Sequence, residues 1–323
     1  MYNINLKSMF PRSIRSRSAC GLEKISCSNY GYRQWKLSEV IPSVAKIGYK
    51  GIEIVTHGLG WPMGFHLMPE FEEAGYIDAM TDCLGENKIQ VVCLSPHTEY
   101  GIDNQREHFV DHAKRQIDLA IRVRSPMLRI HATQIRQIPP GVSKKDLLEK
   151  LADALGRVCD YAKSSRVKLS IENSHYHLKE VTLHEVLDAV GSDYLGITWH
   201  TTADDNPEEI VSTFGNKIWH LHLSEASRIG NIAMRINWMR RRGRSDPDIR
   251  KELGLARKAF DEALAYVGRH FFMGKGDVPL KTIAKALKDI HYSGWWNFEG
   301  HWTGDPEEDA RKGYAYITEL LKG

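Results

Sequence analysis

Cysteine is sparse in this 323-residue chain, five in all, scattered at Cys20, Cys27, Cys83, Cys93 and Cys159 with no CxxC pair. An odd, dispersed set excludes a disulfide scaffold or a zinc ribbon and fits reduced thiols, so a cytoplasmic location is expected. Long apolar runs are missing too. No stretch approaches the roughly 18 residues needed to cross a bilayer, so no membrane partner is expected. The chain also lacks an excess of either charge, with 44 Lys+Arg against 41 Asp+Glu for a net +3. The molecule as a whole therefore carries no strong field for nucleic acid or an anionic membrane. Neither GxGxxG nor GxxxxGK[ST] occurs, which argues against a doubly wound nucleotide-binding sheet.

What is present is an ordinary globular composition, 42% hydrophobic and 26% charged. Residues 1–23, with Arg12, Arg15 and Arg17 among serines, show no core periodicity and no secretory apolar stretch. They read as a loosely structured N-terminal extension. From Lys24 to the end, short apolar runs alternate with segments whose apolar residues lie three and four apart. The strand candidates are EKISCS, GIEIVT, QVVCLSPH, MLRIHA, VKLSIEN, LGITWH, IWHLHLSE and WWNFEGH. Strands alternating with helices pair in parallel through right-handed crossovers. Eight such units give the α/β class and a single (β/α)₈ TIM barrel over residues 24–323. IGYKGIEI and IHYSGWWNFE share I-x-Y-x-G, a turn that leads a helix back into a strand.

In such a barrel the active site forms where the strands end, so each strand's last polar residues are informative. The second unit offers Glu53 and His57, the third His97, the fourth His131, the fifth Glu172 and the sixth His200. The seventh offers His220, His222 and Glu225, and the eighth Glu299 and His301. Seven of the 15 histidines fall in these windows, a concentration that solvated surface histidines do not produce. Glu172, His200, His222 and Glu299 come from four consecutive strands and combine two carboxylates with two imidazoles. That donor set suits one Mn²⁺, Co²⁺, Zn²⁺ or Fe²⁺ better than Mg²⁺ or Ca²⁺, which prefer oxygen throughout. Simpler readings stand beside this one. Both glutamates can be rim carboxylates paired with Arg129 or a lysine, His200 can be a satisfied core residue, and one of His220 and His222 can be only a hydrogen-bonding support.

The stretches GYKGIEI, LSIENS, HLHLSE and GKGDVPLKTIAKALKDIHYSGWWNFE, with the eight-unit layout, resemble the sugar phosphate isomerase/epimerase superfamily. These are the xylose-isomerase-like barrels that include keto-sugar 3-epimerases, inosose dehydratase and endonuclease IV enzymes. The resemblance implies one metal held by Glu172, His200, His222 and Glu299, with Mn²⁺ favoured. His200 stands where the family usually has an aspartate. This departure removes a negative charge and shifts preference toward softer divalent ions. In the endonuclease branch a histidine that helps hold a second metal lies three residues further on, where this chain has Ala203.

The chemistry so implied is proton transfer α to a metal-chelated carbonyl of a keto sugar or polyol, with Glu172 and Glu299 as the acid and base groups. His97, His131, His175, Glu53, Trp61, Glu225 and His301 are candidate substrate contacts. A lyase on the same scaffold is the alternative, a phosphodiesterase of the endonuclease kind the third reading, and a noncatalytic binding barrel the fourth. A homo-oligomer or a partner subunit is expected; nucleic acid is not. Residues 227–272, after the seventh strand, are long for a βα connection and read as a helical insertion. They crowd Arg228, Arg235, Arg240, Arg241, Arg242, Arg244 and Arg250 around Trp238, either as a solvated excursion or as a lid or partner surface.

Overall fold

The computed structural model describes residues 24–32, 35–56, 71, 73–96, 98–100, 106–133, 138, 140–173, 181–225, 228–240, 243–265, 272–300 and 305–322. In chain order the elements are β1 (Ile25–Ser28), α1 (Leu37–Ile47), β2 (Gly51–Val55), α2 (Tyr76–Glu86), β3 (Gln90–Ser95), β4 (Glu99–Tyr100), α3 (Arg106–Arg122), β5 (Met127–Ile130), β6 (Ala132–Thr133) and α4 (Lys144–Ser165). There follow β7 (Lys168–Glu172), α5 (Leu183–Val190), β8 (Leu195–His200), α6 (Pro207–Phe214), β9 (Ile218–Leu223), α7 (Arg228–Arg240), α8 (Asp246–Glu252), α9 (Arg257–Leu264), α10 (Leu280–Asp289), β10 (Trp295–Phe298) and α11 (Pro306–Lys322).

Eight of these strands close into a barrel in the order β1-β10-β9-β8-β7-β5-β3-β2. Every neighbouring pair is parallel, the expected (β/α)₈ arrangement. The short strands β4 and β6 pair with each other outside the barrel. Among the described residues no helix is long and apolar enough to cross a membrane, and the four described cysteines are free thiols.

Local sequence sets the helix starts. Ser143 and Thr182 each accept a backbone N–H three residues on, and Asp146 and Glu185 reach back to the cap, closing capping boxes on α4 and α5. Asn206 caps α6, with Pro207 in its first turn. The repeated I-x-Y-x-G also has a structural meaning. Its second residue takes a positive φ in both copies, 124° at Gly48 and 55° at His291. At its last position a side chain has no room. A Cβ on Gly51 would run into Val92, and one on Gly294 would lie 2.8 Å from the Trp219 carbonyl oxygen.

Each strand has two unlike faces, because successive side chains point to opposite sides. One face carries Ile25, Ile52, Ile54, Leu94, Leu128, Ile130, Leu169, Ile171, Ile197, Trp199, Leu221, Leu223, Trp296 and Phe298. All are buried in one apolar cluster with helix residues such as Val40, Ile117, Leu151, Leu155, Ile283 and Ile317. Burying a side chain of this size contributes about 1.5–3 kcal/mol, so this layer holds the helices to the barrel. The alternate positions are polar and face inward: Ser26, Glu53, Arg129, Ser170, Glu172, Thr198, His220, His222 and Asn297, all buried. They pair with one another, as Ser26 does with Asn297 at 2.9 Å and Ser170 with Thr198 at 2.7 Å.

Between β9 and α10 lie the three helices α7, α8 and α9, within residues 227–272. They pack on a small core of their own, Ile236, Met239, Ile249, Phe260 and Ala263. Part of the basic charge there is neutralised within the segment, since Arg240 grips Asp246 at 2.6 Å and Arg244 reaches Glu252 at 2.8 Å.

Candidate metal centre

The four residues picked out by strand position converge at the carboxyl end of the barrel. Glu172 ends β7, His200 ends β8, His222 lies near the end of β9 and Glu299 follows β10. The register aligns them: Glu172 pairs with Thr198, His200 with His222, and the Glu299 amide donates to Leu223 O at 3.0 Å. Irregularities in pairing fall between Ile52 and Glu53 and between Ile197 and Thr198. In each the extra residue is on the partner strand, Val92 of β3 and Trp219 of β9, so β9 bends just before His220 and His222.

His200 Nδ1 lies 3.0 Å from Glu299 Oε2 and 3.5 Å from Glu172 Oε1. His222 Nδ1 lies 3.4 Å from Glu299 Oε1 and 3.8 Å from Glu172 Oε2. Donors around one tetrahedral ion with bonds of about 2.0–2.2 Å sit roughly 3.3–3.6 Å apart; Glu172, His200 and His222 each offer an atom within 4.8 Å of the others, and Glu299 borders that group. His222 Nδ1 is buried with no hydrogen-bond partner among the described residues. A lone pair so placed calls for an ion or a proton. The donor set thus fits a divalent metal.

Supporting contacts fix the rings and the backbone. Ser224 Oγ lies 3.2 Å from His200 Nε2, which directs Nδ1 of the same ring toward the carboxylates. Asn173 clamps the His200 backbone on both sides, accepting from its N–H at 2.7 Å and donating to its carbonyl at 3.3 Å. Arg129 is buried with its Nε 3.3 Å from Glu172 Oε2, and its guanidinium also contacts His131. The rim-carboxylate reading of Glu172 was therefore partly right about its neighbour.

The cluster is electrostatically matched. Burial works against ionisation of Glu299, but His222 and His200 outweigh it and bring the carboxyl down to about 2. Burial likewise opposes charge on His222 and His200, and the surrounding carboxylates, Glu299 foremost, raise both rings above their ordinary range. His220 goes the other way: burial lowers it despite its contact with Glu53.

The remaining expected substrate contacts have separate fates. Glu53 does not stand at the rim. It is fully buried, with Oε2 2.7 Å from Nε2 of both His220 and His222. Glu225 turns instead to the chain before α10 and accepts the amides of Gly274 at 2.7 Å and Val278 at 3.3 Å. It pins that turn, because two backbone donors satisfy a buried carboxylate there. His131 lies beside Glu172, 3.6 Å from Oε2. Trp61, His97, His175 and His301 lie outside the described residues. Asn173 and Ser224 have no role in the sequence reading, and Arg129 enters it only as a possible partner of the two glutamates. The signal for Arg129 was a lone charge at an inward position of MLRI.

The family model of the xylose isomerase-like TIM barrel matches residues 41–320, and the chain belongs to that family. Solved structures share its fold at low identity. One is the probable 3-DHS dehydratase AsbF from Bacillus anthracis, 13% identical, covering 91% of this chain and 98% of that chain at a TM-score of 0.65. Another is a D-psicose 3-epimerase from Clostridium cellulolyticum H10, 16% identical over 92% and 99% of the two chains at a TM-score of 0.64. A third is the IOLI protein with a zinc atom, 15% identical over 93% and 98% at a TM-score of 0.66. No curated protein matches the chain by sequence.

Proposed function

We propose that this protein is a divalent-metal-dependent isomerase or epimerase of a keto sugar or polyol, with Glu172, His200, His222 and Glu299 as the ligands. The observation that carries this reading is the convergence of Glu172 and Glu299 on the Nδ1 atoms of His200 and His222 at 3.0–3.8 Å. When bound, a divalent ion, Mn²⁺ by preference and Co²⁺, Zn²⁺ or Fe²⁺ as alternatives, supplies Lewis acidity toward a carbonyl and its neighbouring hydroxyl. Glu299 and Glu172 then exchange the proton on the α carbon, one carboxylate removing it and the other group returning it. His200 and His222, held by Ser224, Asn173 and Glu53, keep the two carboxylates apart.

A lyase is the second reading, and Arg129 favours it. Its guanidinium stands on Glu172 and not on Glu299, so the two carboxylates are inequivalent, which suits chemistry that draws on one base only. Incubation of the metal-loaded protein with ketoses in deuterium oxide separates the two. Solvent deuterium incorporated at an α carbon without loss of atoms supports the epimerase; a dehydrated or cleaved product supports the lyase. Neither outcome with any ketose, polyol or keto acid tried would contradict both.

A further inference from the structure

Among the described residues two groups of three side chains have the composition of a metal site, Glu172 with His200 and His222, and Glu53 with His220 and His222. They share His222, and their spacings differ in kind. In the first, the donors stand 3.5 and 3.8 Å apart from carboxylate to ring, as around an ion. In the second, both imidazole Nε2 atoms lie 2.7 Å from the same Glu53 oxygen. That is the length of a charge-assisted hydrogen bond and shorter than the roughly 3.3 Å between ligand atoms around a small divalent cation.

We propose that Glu53 is a positioning residue that selects which nitrogen of His222 faces the metal centre. The inference rests on the reading of Glu172, His200, His222 and Glu299 as ligands. An ionised carboxylate only accepts, so each ring nitrogen bonded to Glu53 carries the hydrogen. A single Glu53 oxygen lies 2.7 Å from both ring nitrogens, the length and arrangement of one carboxylate accepting from two N–H donors. His222 is thereby fixed with Nε2–H turned down the barrel and Nδ1 turned up toward Glu172 and Glu299. Ser28 donates to the other Glu53 oxygen at 3.1 Å, and His220 packs edge-on against His222 with ring centroids 5.3 Å apart. The carboxylate is held by three donors and cannot turn away. The contact spans the barrel interior, because β1 and β10 separate β2 from β9 in the sheet.

The test is zinc titration of the full chain, wild type beside Glu53→Gln, with nitrogen-detected NMR of the histidine rings. An amide in place of the carboxylate offers its own N–H to one ring and breaks the shared acceptor. Zinc affinity is expected to fall about 10–100-fold with stoichiometry at saturation unchanged, and wild-type His222 is expected to bind zinc through Nδ1 and retain Nε2–H. Unchanged affinity in folded Glu53→Gln, zinc on Nε2 of His222, or a second zinc per chain that disappears in His220→Ala would overturn the proposal. Should Glu53→Gln not fold, Ser28→Ala removes one donor to Glu53 and is expected to weaken zinc severalfold; no change there counts against it. Should the wild type bind no metal, the proposed function fails by itself. The metal-free ring at alkaline pH still judges Glu53: an Nε2–H tautomer upholds its role and Nδ1–H overturns it.

Discussion

The two faces of the same eight strands make unlike environments. The outward positions, Ile52 and Ile54, Leu169 and Ile171, Leu221 and Leu223, enter one apolar layer under the helices. The inward positions, Glu53, Ser170, Glu172, His220 and His222, are just as deeply buried yet polar or ionisable. Parallel barrel strands usually read as near-continuous apolar runs, because both faces are covered. Here the interior is a network of hydrogen bonds and ion pairs, so one face holds the fold together and the other carries the residues of the proposed site. A buried polar network costs stability unless its members satisfy one another.

Substitutions on either face test that division. The largest effect is expected inward, where Glu172→Gln and Glu299→Gln should each lower turnover by about 10²–10⁴-fold while the thermal unfolding midpoint stays near wild type. Turnover unchanged in either would remove that residue from the chemistry. Outward, Leu221→Ala lies one residue from His222 on the same strand and should cost about 2–5 kcal/mol in denaturant unfolding with metal stoichiometry unchanged. If it lost metal but not stability, the two faces would not be separate in function. A smaller effect concerns Asp309 in α11, a carboxyl within the outward layer that burial pushes up to about 7. The folded state therefore holds its proton more tightly than the unfolded chain. The stability it contributes is fully present below roughly pH 4 and lost as pH rises to about 7. Asp309→Asn should flatten that slope, gaining on wild type at pH 8 but not at pH 4; parallel pH profiles would contradict it.

The outward face was the readable part of the sequence. Apolar runs between amphipathic segments identify the barrel, and strand ends such as LSIE, LGITWH and HLHL expose Glu172, His200 and His222 as neighbours in register. The contact of Glu53 with His220 and His222 was not readable, since it joins strands that are not adjacent and exists only because the barrel closes. A signal for the polar interior was nonetheless there: ISCS, LSIE, HLHL and WNFE alternate strictly, as strands with one polar and one apolar face do. The structural partners of Glu225, the amides of Gly274 and Val278, were not readable because they arrive about fifty residues later in the chain. Arg129 was legible only as one possible partner of either glutamate, since one arginine within an apolar strand does not reveal which carboxylate it meets.

Elemental analysis of the purified protein beside His200→Ala asks whether the inward face ends in a one-ion site that includes His200. About one Mn, Co, Zn or Fe per chain is expected in the wild type, falling in the variant. No bound metal after reconstitution, or equal content in both proteins, would contradict it.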